Sequence, residues 1–261
     1  METSERNKKL AQEFKELLSP EGFLVAVKLL KKTEIDGFGK VRRPENRVTF
    51  CSVLNQSRYF GRTRIVGADD QACYAFPEIF GMKEMPKNAH TRYVGWQFKT
   101  EDASKKALDT VRRLPMGTCD LVYLSPLEIC PVAPDVVVFC GNAAQMLAVI
   151  AAYLFDKGGT FEMQSNNQCT CAGVIAAVIQ DRVPKIVIPG NAWRLLASPS
   201  TTELVCGIPG ELLEDLIKNA RFLKTHGGSQ YPPAWQHIQW EPQPPIADLL
   251  KPDGSASWIK R

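Results

Sequence analysis

The spacing of hydrophobic positions along the chain predicts strands and helices in alternation. The most distinct unit is a continuous apolar run over residues 135–139, a turn at Gly141-Asn142, and an apolar helix over residues 143–155. The same patterns predict a helix over residues 7–18 and strands over residues 23–30 and 92–98. This alternation favours an α/β fold, with one or more mixed sheets flanked by helices.

The chain is predicted to consist of one compact domain and a C-terminal tail. Residues 1–226 carry the alternating pattern, whereas residues 227–261 are rich in proline and contain Trp235, Trp240 and Trp258. Proline prevents regular helix or sheet, and three tryptophans expose a large apolar area if they are left in water. We therefore expect the tail to pack on its own domain or on a second subunit, which suggests a homodimer.

The amino-acid composition limits the kinds of molecule that the protein is expected to bind. The 261 residues are 44% hydrophobic and 23% charged, as in an ordinary folded protein, and the net charge of +4 is too small to indicate nucleic acid. The N-terminus lacks the apolar core of an export signal, and the apolar helix over residues 143–155 is shorter than the roughly 20 residues that span a bilayer. We expect a cytoplasmic protein that binds neither nucleic acid nor membrane and acts on a small acidic molecule.

Cysteine carries the strongest chemical signal. Because eight cysteines occur without an export signal, reduced thiols or metal ligands are expected rather than disulfides. Cys169 and Cys171 are separated by a single residue at the predicted start of a helix, where backbone N–H groups stabilise a thiolate. Cys51 and Cys73 are predicted to occupy similar positions. These four residues could bind an iron–sulfur cluster or zinc; alternatively, they are small buried core residues.

Three further features are candidates for substrate or cofactor binding. Asp70 lies shortly before Cys73 and could act as an acid or base, although a charge at a helix N-terminus explains it equally. Arg194 could bind a carboxylate or phosphate through its guanidinium, or simply be exposed. Gly141 and Asn142 precede a helix whose N-terminus could receive an anionic cofactor group; the alternative is a tight turn capped by the asparagine.

The histidines argue against two common kinds of active site. The chain has only His90, His226 and His237, and none of them has a partner four residues away, as a helical zinc site requires. The sequence also lacks the Gly-x-Ser-x-Gly motif of serine hydrolases. A histidine-rich zinc centre and a Ser-His-Asp hydrolase are therefore disfavoured.

A set of short motifs, in this order over about residues 8–224, carries a family resemblance: Val27-Lys28-Leu29-Leu30, Phe50-Cys51-Ser52, Ala68-Asp69-Asp70-Gln71-Ala72-Cys73, Ser125-Pro126-Leu127-Glu128, residues 134–146, Cys171-Ala172, and residues 189–197 and 203–212. With them the chain resembles the bacterial and archaeal proteins of domain-of-unknown-function family 169. The resemblance implies a single α/β domain in cytoplasmic proteins of mostly anaerobic organisms, and it brings no reaction with it. Cys51, Cys73 and Cys171 match the family's cysteine-bearing stretches, whereas Cys169 and the tail depart from its pattern.

Three functions are compatible with these residues. The favoured one is an enzyme of anaerobic metabolism with a [4Fe–4S] cluster, in which three protein ligands would leave one iron open as a Lewis acid for hydration or dehydration of an acidic or acyl-thioester substrate. Four ligands would favour redox chemistry. In this hypothesis Arg194 orients the substrate and Asp70 moves a proton. The alternatives are a structural zinc protein that binds a partner or an acyl thioester, and a metal-free enzyme with Cys171 as nucleophile.

Overall fold

Six strands form one sheet in the computed structural model of the chain, which describes residues 2–38, 41–197 and 200–226. Their order is β2-β3-β1-β4-β6-β5, and all five neighbouring pairs are antiparallel. The strands are β1 (Val25–Leu30), β2 (Arg64–Gly67), β3 (Leu121–Pro126), β4 (Val136–Gly141), β5 (Lys185–Val187) and β6 (Leu204–Pro209). The predicted α/β class, with a sheet flanked by helices, is confirmed, and the sheet is antiparallel rather than mixed. The predicted tail, residues 227–261, and its proposed docking lie outside the described residues.

Helices cover both faces of this sheet. They are α1 (Thr3–Leu18), α2 (Phe50–Phe60), α3 (Ala75–Ile79), α4 (Glu101–Asp109), α5 (Ala143–Leu154), α6 (Ala177–Asp181), α7 (Asn191–Ala197) and α8 (Leu213–Thr225). A π-helix over Ala172–Ala176 runs directly into α6. Short 3-10 turns occupy Lys32–Phe38, Ala68–Asp70, Ala89–Tyr93, Leu127–Ile129 and Gly210–Leu212. None of the helices in the described ranges is long and apolar enough to cross a membrane.

The strands bury both of their faces because successive side chains point to opposite sides of a sheet. In β4, Val136, Val138 and Cys140 join the core on what we call the first face, and Val137 and Phe139 join the core on the second face. Helices α2, α3, α4, α6 and α7 contribute to the core of the first face, and α1, α5 and α8 to that of the second. The result is a sheet between two helical layers.

The strand–turn–helix unit predicted from the sequence is confirmed as β4 and α5. The strand predicted over residues 92–98 is wrong. The chain there forms the 3-10 turn Ala89–Tyr93 and then folds back on itself, with Gly95 at a φ of 85° and the Trp96 indole N–H donating to the Arg92 carbonyl at 2.8 Å. The apolar residues of this segment reach the core through a compact turn rather than an extended strand, as the burial of Tyr93 shows.

Candidate functional site

The four cysteines singled out in the sequence lie at the starts of helices on the first face of the sheet. Cys51 is in the first turn of α2, where the Thr49 side chain caps the helix by accepting a hydrogen bond from the Ser52 N–H at 3.3 Å. Cys73 comes just before α3, and Cys171 directly precedes the π-helix. All four thiols are free. The predicted positions near helix starts are therefore confirmed.

These four thiols belong to one region of the core on the first face. Ionisation of Cys73 or Cys169 raises the pKa of Cys51, and ionisation of Cys73 also raises the pKa of Cys169. Ionisation of any of the other three raises the pKa of Cys171. Every one of the six possible pairs is thus near enough for electrostatic interaction. Residues that are far apart in sequence form one group of thiols.

Burial makes this group neutral in the absence of a bound ion. Cys51 and Cys171 are buried, and Cys73 and Cys169 are half-buried. Burial first, and then the neighbouring charges, raises the pKa of Cys51 and of Cys169 to about 12, and that of Cys171 well above its ordinary value. A buried, protonated thiol is a poor nucleophile, so these surroundings lend no support to a metal-free role for Cys171.

The backbone around Cys73 and Cys171 fixes the positions of these two cysteines. Burial raises the pKa of Cys73, while the backbone N–H groups of Phe76 and Ala75 at the start of α3 oppose that rise by hydrogen bonding to the sulfur. Cys171 leads into the π-helix, a geometry that is frequent at functional sites. Strand β6 approaches this π-helix so closely that a Cβ on Gly207 would stand 1.8 Å from the Val174 carbonyl oxygen. A glycine is therefore required beside the segment that positions Cys171.

Cys169 also lines a cavity of about 650 Å³, a volume within the range of small-molecule sites. Two cations in its wall share one carboxylate: Arg112 donates to Asp181 at 2.9 Å, and Lys185 lies 2.8 Å from the same oxygen. Glu162 lines the cavity as well but is exposed. This group of charged residues was not among those predicted from the sequence. Its only local signal is the four-residue spacing of Asp181 and Lys185, which any exposed helix pair can show.

Arg194 lies outside the lining of this cavity. It sits half-buried on α7, which packs against α2 through a hydrogen bond of 2.9 Å from the Ser52 hydroxyl to the Leu196 carbonyl. The buried Trp193 side chain anchors α7 in the core of the first face. Arg194 is therefore on a helix adjacent to that of Cys51, and its predicted role toward a substrate stays a prediction.

Asp70 makes local structural contacts. One of its carboxylate oxygens accepts hydrogen bonds from the Arg43 guanidinium at 2.8 Å and from the Gly67 N–H at 2.7 Å. These contacts close the 3-10 turn that precedes Cys73. They correspond to the charge-pair alternative considered from the sequence, and the acid–base role stays a prediction.

Gly141 and Asn142 stand apart from the four cysteines. The Asn142 side chain accepts from the Gln145 N–H at 3.0 Å, and the Gln145 side chain accepts from the Asn142 N–H at 2.7 Å. This reciprocal pair is a capping box for α5. Helix α5 covers the second face whereas the thiols belong to the core of the first, and the predicted cofactor-binding role of this turn stays a prediction.

Fold and site together define an α/β protein with an antiparallel sheet and a group of four buried or half-buried cysteines, one of which lines a polar cavity. The model of domain-of-unknown-function family 169, described as "Uncharacterised ArCR", matches residues 13–219, and the chain belongs to this family. An uncharacterised protein of Methanocaldococcus jannaschii is 30% identical over 215 residues, which cover 80% of this chain and 91% of that protein. No solved structure matches the chain. The family resemblance seen in the sequence is confirmed.

Proposed function

We propose that this protein is an iron–sulfur enzyme in which Cys51, Cys73, Cys169 and Cys171 hold a [4Fe–4S] cluster, and that its substrate is a small acidic molecule bound in the cavity that Cys169 lines. The observation that carries the proposal is the placement of all four cysteines near helix starts in the core of the first face, close enough for their ionisation to be coupled. Thiolates are the protein ligands of such clusters. A chain of this length can bury a full core without a metal, so a gathered group of cysteines points to chemistry.

A [4Fe–4S] cluster and a single zinc ion make different demands on the four thiols. Among the described residues, no three Cys, His, Asp or Glu side chains are grouped to hold one metal ion. Four thiolates around zinc must all lie about 2.3 Å from one point, whereas the four ligands of a cubane bind four different irons and stand farther apart. The metal analysis described below decides between the two.

The four cysteines have different surroundings and would therefore contribute differently to a cluster site. Cys51 and Cys171 are buried and would shield the cluster from water, and the N–H groups that bond to Cys73 would influence its reduction potential. Cys169 alone of the four lines the cavity. If three cysteines bind, an open iron supplies Lewis-acid chemistry for hydration or dehydration, and if four bind, the cluster supplies electron transfer.

The cations in the cavity favour an acidic substrate. Arg112 and Lys185 share the single carboxylate of Asp181, so these three side chains carry one positive charge in excess; the other charged residue of the lining, Glu162, is exposed. A substrate carboxylate can hydrogen-bond to the Arg112 guanidinium or the Lys185 ammonium without displacing Asp181 from both. These residues would orient the substrate beside Cys169.

Metal analysis after anaerobic purification tests the cluster. We expect about four irons and four sulfides per chain with a broad visible absorption, and loss of most of the iron after Cys51→Ser or Cys171→Ser. Cys206→Ser is the matched control, because Cys206 is equally buried but belongs to the core of the second face. Zinc without iron would replace the proposal by the structural zinc alternative. Absence of both metals after purification and after reconstitution with iron and sulfide would refute it.

A separate binding experiment tests the cavity. Titration of the iron-loaded protein with citrate and succinate, followed by changes in the electron paramagnetic resonance spectrum of the reduced cluster, should detect a site that Arg112→Gln and Lys185→Gln weaken. Arg182→Gln is the control, since Arg182 pairs with Glu211 and is absent from the cavity lining. Equal binding by all three variants would place the acidic substrate elsewhere.

A further inference from the structure

A second cavity lies beside β2, an edge strand of the sheet, and shares no lining residue with the cavity at Cys169. Its volume is about 400 Å³, near the lower end of the range for small-molecule sites. Its wall is made by Phe38, Val41, Arg42, Thr63, Arg64, Tyr123, Ile129 and Pro131. Two arginines and a threonine thus face the same space as aromatic and aliphatic side chains.

The arginines at this cavity lack carboxylate partners. In the ranges that the structure describes, neither Arg42 nor Arg64 forms an ion pair, whereas the neighbouring Arg43 binds Asp70 at 2.8 Å. Burial first, and then the positive charges of Arg62 and Arg42, lowers the pKa of Arg64. Glu45 opposes that shift. The local charge is therefore in positive excess.

The remainder of the wall is suited to an apolar group. The rings of Phe38 and Tyr123 lie 4.7 Å apart between centroids, and Val41 packs with Phe38 against the core of the second face. Ile129 is exposed at 52% of its surface although it lines the cavity. A ligand with an aromatic or aliphatic body would cover this surface and remove it from water.

We propose that this cavity binds a small phosphate monoester with an apolar or aromatic body. Arg42 and Arg64 would hold the phosphate, and Phe38 and Ile129 would contact the body. A guanidinium presents a planar fork of donors that matches an oxyanion. A phosphate monoester carries a charge of roughly −1.5 to −2 at neutral pH, which balances two unpaired arginines better than one carboxylate does. The site is independent of the proposed cluster.

Calorimetric titration of the anaerobically purified protein with phenyl phosphate tests this proposal. Arg42→Gln and Arg64→Gln are each expected to weaken binding by about tenfold or more, since each removes a charge-assisted hydrogen bond. Arg47→Gln is the matched control, because Arg47 is an exposed arginine of the same segment, absent from the cavity lining, whose Nε donates to the Asp69 carbonyl at 3.3 Å. Thermal unfolding confirms that each variant is folded.

Three probes separate the sources of affinity. Inorganic phosphate is expected to bind more weakly than phenyl phosphate because it lacks the body, and benzoate more weakly because it carries a single charge. Benzoate binding as tightly as phenyl phosphate would overturn the assignment to phosphate. An equal loss of phenyl phosphate binding in Arg47→Gln would show that the affinity comes from the general positive charge of this segment. That result would also overturn the proposal. A short DNA duplex that binds more tightly than phenyl phosphate, with the same dependence on Arg42 and Arg64, would assign the surface to nucleic acid instead.

Discussion

The buried ion pair between Arg58 and Glu203 gives the sharpest stability prediction. The two side chains are only 2% and 3% exposed, and the guanidinium donates to both carboxylate oxygens, at 2.8 and 2.7 Å. The pair joins α2, the helix of Cys51, to the residue just before β6. We expect Glu203→Gln to destabilise the domain strongly.

The magnitude follows from what remains around the guanidinium. After the substitution Arg58 keeps a hydrogen bond of 3.1 Å to the Glu21 carbonyl and the face of the Tyr59 ring at 4.4 Å, but no negative charge. Arginine cannot lose its proton at accessible pH. Breaking a buried pair in this way costs about 3–5 kcal/mol, and each kcal/mol lowers the melting temperature of a domain of this size by about 2–4 °C.

Urea unfolding followed by circular dichroism measures the loss. Glu211→Gln is the matched control, because Glu211 pairs with Arg182 at the same 2.7 Å although the side chains are 46% and 75% exposed. That control should cost less than about 1 kcal/mol. The double variant Arg58→Met with Glu203→Leu should recover most of the stability, since an apolar pair of similar volume often replaces a buried ion pair without loss.

A loss in Glu203→Gln no larger than in the control would refute the reasoning, since it would mean that water reaches the guanidinium. Failure of the double variant to recover stability, beside a large loss in the single variant, would show that packing around the pair rather than the buried charge sets the cost.

Three further substitutions test local features. Asn142→Ala should cost about 1 kcal/mol of unfolding free energy because it removes the cap that accepts from the Gln145 N–H, and it should leave iron content unchanged. Gly207→Ala should cost about 1–3 kcal/mol and lower the iron content, because the added Cβ meets the Val174 carbonyl beside the cysteine site. Trp193→Phe should cost far less than the roughly 3–5 kcal/mol of Trp193→Ala, since the indole N–H has no hydrogen-bond partner among the described residues; denaturant unfolding compares the two.

Sequence patterns correctly predicted the elements whose conformation depends on residues that are close together in the sequence. The apolar run of β4 and the apolar helix α5 keep their own periodicity, and Asn142 caps α5 as its position suggests. The segment around Tyr93 contains similar apolar residues, yet Gly95 allows the chain to turn and bury them without a strand. Periodicity cannot distinguish these two outcomes, because both remove the same side chains from water.

Long-range pairing explains why the site could be predicted only in part. The positions of Cys51, Cys73 and Cys171 near helix starts are local facts, and the structure confirms them. That these helix starts meet depends on the order of the strands, which no local pattern specifies. The group could be predicted only from chemistry, because reduced cysteines near helix N-termini favour the thiolate form that binds metals.

Long-range pairing also explains why Arg194 could be proposed from the sequence as a substrate-binding residue, whereas Arg112 and Lys185 could not. Arg194 is conspicuous in sequence because it follows the turn Pro189-Gly190-Asn191, whereas Arg112 follows an exposed helix and acquires its place only when Asp181 approaches from α6. Ion pairs that link distant segments leave no periodic trace. The thiols and the cavity cations of this protein therefore illustrate two kinds of candidate site residue: those recognisable by their chemistry alone, and those that become recognisable only when the fold supplies their partners.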